Sequence, residues 1–275
     1  MLRRNAKLIV SPTKRILKPG EKLSIKIFLE PREEFIISRV LGRFMGEEQI
    51  FLSTNKKMKT LKNVFLSSTR ELDFDVTVNR LKKYEWLFEF SLPNDLPPSY
   101  NGESVKIRYL FEAKVEIKHA LPTVEVVPLT ILQKIGEIEE LHLEKEYQIF
   151  KLGLVVPSTI PAGHDLKGEL YITPNRDFTA EEIRFDLICR EETIWGVFLK
   201  QTRTLIKTLM KFKIIGKKVF HEGIKYNLPL SIKLPSNLAT FETSRSKVRY
   251  IGKVAIRCEG RDFFLEFPLR ILRVY

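Results

Sequence analysis

Apolar residues recur at every second position along most of this chain. Leu23, Ile25, Ile27 and Leu29 set the pattern, which is that of a strand with one buried face. It returns in Trp86–Leu92, Val105–Lys118, Val124–Leu132 and Gly168–Ile172, and again in Ile183–Cys189, Leu228–Leu234, Val248–Ile256 and Phe263–Val274. β-Branched and aromatic residues fill these runs, and Pro, Gly and Asn separate them. Only Ile135–Glu146 and Leu199–Phe212 also allow a helical spacing. The expected class is all-β, with many short strands in sandwiches or barrels.

The runs repeat in order. LIVSP at Leu8–Pro12 returns as LVVP at Leu154–Pro157. KPGEKLSIKIFLEP at Lys18–Pro31 aligns with PAGHDLKGELYITP at Pro161–Pro174, 143 positions on, with Gly20 meeting Gly163. FSLPNDL at Phe90–Leu96 matches IKLPSNL at Ile232–Leu238, and Lys106–Ile117 matches Lys247–Cys258 at an offset of 141. VPLTIL at Val127–Leu132 matches FPLRIL at Phe267–Leu272 at an offset of 140. Blocks in constant order at a nearly constant offset make a tandem repeat. The expected domains are 1–134, a β-sandwich, and 147–275, a second one, with 135–146 as a hinge. Each half has the length of an immunoglobulin-like sandwich.

Charge divides along the same lines. The whole chain carries 47 Lys and Arg against 34 Asp and Glu, a net +13. Residues 1–134 hold 24 basic and 16 acidic residues, and 147–275 hold 22 and 13. The connector 135–146 holds one Lys and five Glu. Two basic domains thus flank an acidic hinge, whose expected place is along a basic flank or in solvent. Such a balance suits acidic partners or an anionic membrane surface. Nucleic acid is disfavoured, because the basic residues are spread evenly and the aromatics fall on core-facing positions rather than between clustered arginines. No apolar run reaches the length of a signal-peptide core or a membrane span. Two cysteines do not make a disulfide scaffold, so a reducing cytoplasmic setting is expected, with membranes reached only peripherally.

The segment Phe88–Ile117, FEFSLPNDLPPSYNGESVKIRYLFEAKVEI, resembles the signature of arrestin domains. An aromatic-rich strand ends in Leu92-Pro93, and Leu96, Pro97, Pro98, Ser99 and Tyr100 follow. A polar loop then leads to a strand carrying Tyr109 and Ala113. Leu234, Pro235, Leu238 and Tyr250 form a weaker copy, similar to the arrestin C-terminal domain. The resemblance implies two tandem immunoglobulin-like sandwiches in the arrestin arrangement, and a non-catalytic adaptor or scaffold in trafficking or signalling. Its implied partners are acidic or phosphorylated protein segments, subunits of trafficking complexes, and anionic membrane surfaces. The Pro-Pro-Ser-Tyr run is also similar to the arrestin-like subunit of the Golgi Rab exchange factor, and more distantly to that of retromer. Tyr84 stands where many family members have Gly, and no long C-terminal tail of the family's kind is expected after the last strand.

The proline motif has a structural chemistry. Pro93 ends a strand for want of an N–H, Pro97 holds Leu96 extended, and Pro98 stiffens the turn. Pro97-Pro98-Ser99-Tyr100 also spells a WW-domain ligand, but such a ligand must be an accessible polyproline segment, and this one lies between two core strands.

No catalytic constellation emerges. His119, His142, His164 and His221 lack metal-ligand spacing, and no phosphate-cradling glycine loop or Gly-x-Ser-x-Gly occurs. No cofactor is implied. Cys189 and Cys258 read as buried thiols or as a disulfide across the second sandwich. Two basic stretches are the candidate contacts for an acidic partner or membrane. One is the polar loop 55–63 with Lys56, Lys57, Lys59 and Lys62. The other is 200–218, with Lys207, Lys211, Lys213, Lys217 and Lys218 and no acidic residue. The second stretch allows an amphipathic helix for a membrane surface or a strand with a solvated lysine face. The resemblance calls for a strand there.

Overall fold

Leu23, Ile25, Ile27 and Leu29 are fully buried, and burial of each contributes about 1.5–3 kcal/mol. That stripe gives its strand a core face, and the same logic builds the rest of the molecule. The structure, a computed structural model, describes residues 6–54, 57–196 and 200–274. Its secondary structure is strand, with no helix among the described residues. The chain divides into two units between Gln133 and Lys134.

In the first unit β1 (Ala6–Pro12), β3 (Lys22–Pro31) and β6 (Tyr84–Ser91) form one sheet in the order β1-β3-β6. The facing sheet runs β2-β9-β8-β4-β5, from β2 (Ile16–Leu17), β9 (Thr123–Ile131), β8 (Val105–Ile117), β4 (Phe35–Thr54) and β5 (Lys57–Val78). β7 (Tyr100–Asn101) pairs with β8. The second unit repeats this order. β11 (Phe150–Pro157), β13 (Asp165–Pro174) and β17 (Tyr226–Lys233) form its small sheet. β12 (Thr159–Pro161), β20 (Arg261–Leu272), β19 (Ser246–Cys258), β14 (Phe178–Trp195) and β15 (Gln201–Ile215) form its large one. β16 (Lys218–Phe220) pairs with β14, and β18 (Phe241–Glu242) with β19.

The repeat extends to single hydrogen bonds. Gly20 and Gly163 both take positive φ, 81° and 79°, a region glycine enters at little cost. Their N–H groups donate to the carbonyls of Pro93 and Pro235, which stand two residues beyond β6 and β17. Ser99 donates its N–H to Ile131 O (2.8 Å) and accepts the Ile131 N–H on Oγ (2.9 Å). Thr240 does the same with Ile271, at 2.7 and 2.9 Å. The Tyr109 hydroxyl donates to Pro97 O (2.6 Å), and the Tyr250 hydroxyl accepts the Ala239 N–H (3.2 Å). Leu92, Leu96, Pro98, Ser99 and Tyr100 are buried, with Pro93 and Pro97 half-buried. The motif is therefore a clamp between sheets, closed to a WW domain.

Three sequence expectations change. The stretch 135–146 is not a hinge throughout. Glu140–Glu146 is a strand, β10, added antiparallel to the edge of β11, and among the described residues no first-unit strand takes the matching place beside β1. Residues 57–63 are not loop but the start of β5. Cys189 and Cys258 do not pair: Cys189 faces Tyr250 in the β14–β19 register while Cys258 faces Ala180. At about 3.3 Å of rise per residue they stand roughly 25 Å apart, far beyond disulfide reach. Both are buried free thiols, and burial pushes that of Cys258 up to about 11, with Glu259 and Glu181 adding to the shift.

Candidate binding surfaces

The strands decide where each basic side chain goes. Lys59 and Lys62 stand exposed near the start of β5. Lys56 lies outside the described residues, as does the side chain of Lys57. Lys207, Lys211 and Lys213 stand exposed on β15, so the strand expectation for this stretch holds and the amphipathic helix falls away. Lys217 is exposed beyond it. Lys218 lies over the rings of Phe220 (5.4 Å) and Tyr226 (5.3 Å), a half-buried cation–π pair. The two lysine groups belong to different units.

Sequence reasoning overlooked the outer face of the second large sheet. Inward residues of β14 and β19 alternate with outward ones, and Arg190 stands directly opposite Arg249 on the outward side. Tyr250 pairs with Leu269, which brings Arg270 next to Arg249 across the β19–β20 pair. The three guanidinium groups thus form a row across three strands. With Thr240, Ile251, Pro268 and one carboxylate, Glu266, which is bridged to Lys253 at 3.6 Å, they line a shallow groove of about 510 Å³. Arg190 is paired with Glu192 (2.7 Å). Among the described residues Arg249 and Arg270 have no ion-pair partner.

The first unit supplies an internal comparison. The repeat offsets align Arg190, Arg249 and Arg270 with Glu47, Arg108 and Thr130. There Arg108 donates to Glu47 at 2.9 and 3.3 Å, and Gln49 donates to the same carboxylate at 2.7 Å. Burial alone would raise the Glu47 pKa, but the hydrogen bonds from Gln49 and Arg108 outweigh it and hold the carboxyl below its usual range. The first row neutralises itself. The second sets Arg249 between Arg190, whose partner is Glu192, and Arg270, so it keeps more basic than acidic groups for an incoming anion. Reading down the repeat alignment for positions where acid becomes base is the signal that finds it.

Further along this face Asp262 accepts from Arg257 Nε (2.8 Å) and Arg184 Nη2 (2.7 Å). Those bonds, Arg257 first and Arg184 second, hold its carboxyl at about 2. Because the folded pKa lies below the unfolded value, this stabilisation is complete above about pH 4 and is lost as pH falls through about 2. After solvent screening of a partly exposed group, about 1 kcal/mol is at stake. Acid titration of unfolding free energy is expected to show that loss in wild type and not in Asp262→Asn; identical pH slopes would contradict it.

Other titratable pairs lie apart from these surfaces. His221 Nδ1 meets Asp177 at 3.3 Å and His142 meets Glu140 at 3.6 Å, both exposed. No group of three or more His, Cys, Asp or Glu that could hold a metal gathers among the described residues. No helix there is long and apolar enough to cross a membrane.

Residues 4–135 match the family model described as arrestin (or S-antigen), C-terminal domain. The C-terminal-domain model falls on the first unit, the half with the fuller proline motif. No curated protein matches the chain. Arrestin-family domains generally serve as protein-binding adaptors. On this match the first unit is similar to arrestin C-terminal domains, and the all-β architecture and buried Leu-Pro clamp recur in the second unit.

Proposed function

We propose that this protein is a non-catalytic adaptor that holds acidic or phosphorylated segments of partner proteins on the basic outer face of its second sandwich. Its two sandwiches act as the successive domains of an arrestin pair, joined by the short acidic stretch before β10, and its place of work is the cytoplasm, in trafficking or signalling. The observation that carries this reading is the row Arg190, Arg249 and Arg270, where the first unit has a self-neutralising Glu47–Arg108 pair. Guanidinium groups match phosphate and carboxylate oxygens in a fork, and a groove floor of Ile251 and Pro268 accepts the apolar neighbours of such a group.

A second reading is favoured by a separate observation. Ile206, Leu209 and Phe212 are 64%, 36% and 41% exposed on one strand, as in a subunit of a larger trafficking assembly of the Rab-exchange-factor or retromer kind. It predicts a stable co-purifying partner.

The test is fluorescence anisotropy with a labelled, doubly phosphorylated peptide and its unphosphorylated twin. The expected result is phosphate-dependent binding that weakens about tenfold or more between roughly 50 and 500 mM salt. Equal affinity for the two peptides, or binding only to anionic vesicles, would overturn the proposal.

A further inference from the structure

We infer that the free edge of β15 is a docking site for an acidic, extended segment of a partner protein, which adds to the large sheet of the second unit as a further strand. The inference rests on the adaptor reading only in requiring a protein partner; its surface and its bonding differ from the arginine row.

β15 is paired on one side only, with β14. Its register with β14 runs unbroken from Gln201 to Thr208, opposite Trp195 to Ile188. An irregularity follows, which leaves Leu209 without a partner position. The regular run therefore offers a row of outward backbone N–H and C=O groups about eight residues long, enough for a strand of ordinary length.

Its chemistry selects the occupant. From Lys200 to Lys218 the chain has Lys200, Arg203, Lys207, Lys211, Lys213, Lys217 and Lys218 with no acidic residue. A second copy of this strand is repelled by that charge, while a segment of Asp and Glu is attracted. Lys211 and Lys213 have no ion pair among the described residues. The equivalent edge of the first unit, β5, carries Glu71 and Asp75, which are already bridged to Arg39 (3.6 Å) and Lys118 (2.8 Å). In the regular run Arg203, Leu205 and Lys207 share one face and Thr202, Thr204, Ile206 and Thr208 the other, so the alternation needed is acidic beside Arg203 and Lys207 and apolar beside Ile206.

The chain contains an example of such an occupant. β10, ELHLEKE, completes the opposite edge of the same unit by pairing with β11. Leu141 and Leu143 on one side are half-buried, and Glu144 on the other reaches Lys151 at 2.6 Å. Strand addition of this type takes affinity from main-chain bonds and selectivity from alternate side chains.

The probe is a labelled peptide of about ten residues alternating Glu with Val or Leu. Its controls are the same peptide with Lys for Glu and the same peptide N-methylated at every second residue, which keeps the charge and removes the ladder donors. Anisotropy and amide hydrogen exchange are read on the full chain. The expected result is protection of the amides of 201–208, at least about tenfold weaker binding of both controls, and a similar loss with R203E/K207E, the two basic residues of the regular run. Equal binding of the N-methylated peptide would overturn the inference, as would protection by phosphatidylserine vesicles alone or concentration-dependent protection of the chain by itself. Protection confined to the arginine row would sink this inference and leave the adaptor reading standing. If neither this peptide nor the phosphopeptide binds anywhere, both fall.

Discussion

Replacing Tyr109 with Ala is expected to lower the unfolding free energy by about 4 kcal/mol, the range for removing a large aromatic from a core. Tyr109 is fully buried, stacked on Phe44 at 6.0 Å and edge-on to Phe65 at 5.8 Å. Its hydroxyl holds Pro97 O at 2.6 Å. Losing the ring leaves a cavity between the sheets, and losing the hydroxyl orphans a carbonyl of the proline clamp. The two parts separate experimentally. Tyr109→Phe removes the bond alone and is expected to cost about 1–2 kcal/mol. Burial also drives the Tyr109 phenol pKa far above its usual value, with Asp95 adding to the shift, so the hydroxyl remains a donor at all accessible pH. Chemical denaturation with hydrogen exchange is the measurement. Faster exchange is expected in β6, β8 and β9 for Tyr109→Ala, and in β17, β19 and β20 for Tyr250→Ala. Losses within about 0.5 kcal/mol for both alanine variants would contradict the clamp.

The repeat was legible because its strongest blocks are the clamp itself: Gly20 and Gly163 make the same bond to Pro93 and Pro235, and the Tyr109 and Tyr250 hydroxyls reach the backbone of equivalent residues, Pro97 and Ala239, one as donor and the other as acceptor. Single-faced strands such as β3 and β8 show their alternation openly. The hairpin of β4 and β5 does not. Glu47, Glu48 and Gln49 are consecutive, polar and all buried, and two register irregularities interrupt the pairing, so no period of two survives. β10 was hidden for another reason. Five glutamates in a short connector read as solvated, yet an edge strand keeps one side in water and needs only Leu141 and Leu143 to cover the core.

The basic surface was only half legible. Lysine runs along one strand are visible in sequence, and β15 keeps them exposed. Arg190, Arg249 and Arg270 are far apart in the chain and meet only through the register of three strands. Their significance comes from comparison with Glu47, Arg108 and Thr130, which a scan for charge clusters along the chain does not make.

That comparison also supplies the most direct test. Arg190→Glu with Arg270→Thr installs the first unit's row in the second, leaving Arg249 beside a new carboxylate as Arg108 is beside Glu47. Both side chains lie on the outward face; the variant exchanges the Arg190–Glu192 pair for one to Arg249, so only a small change in thermal stability is expected. If the open arginine row is what holds partners, titration of this variant with the doubly phosphorylated peptide will show affinity reduced by at least about tenfold, with most of the salt dependence gone. A folded variant that binds the peptide as tightly as wild type would contradict the account.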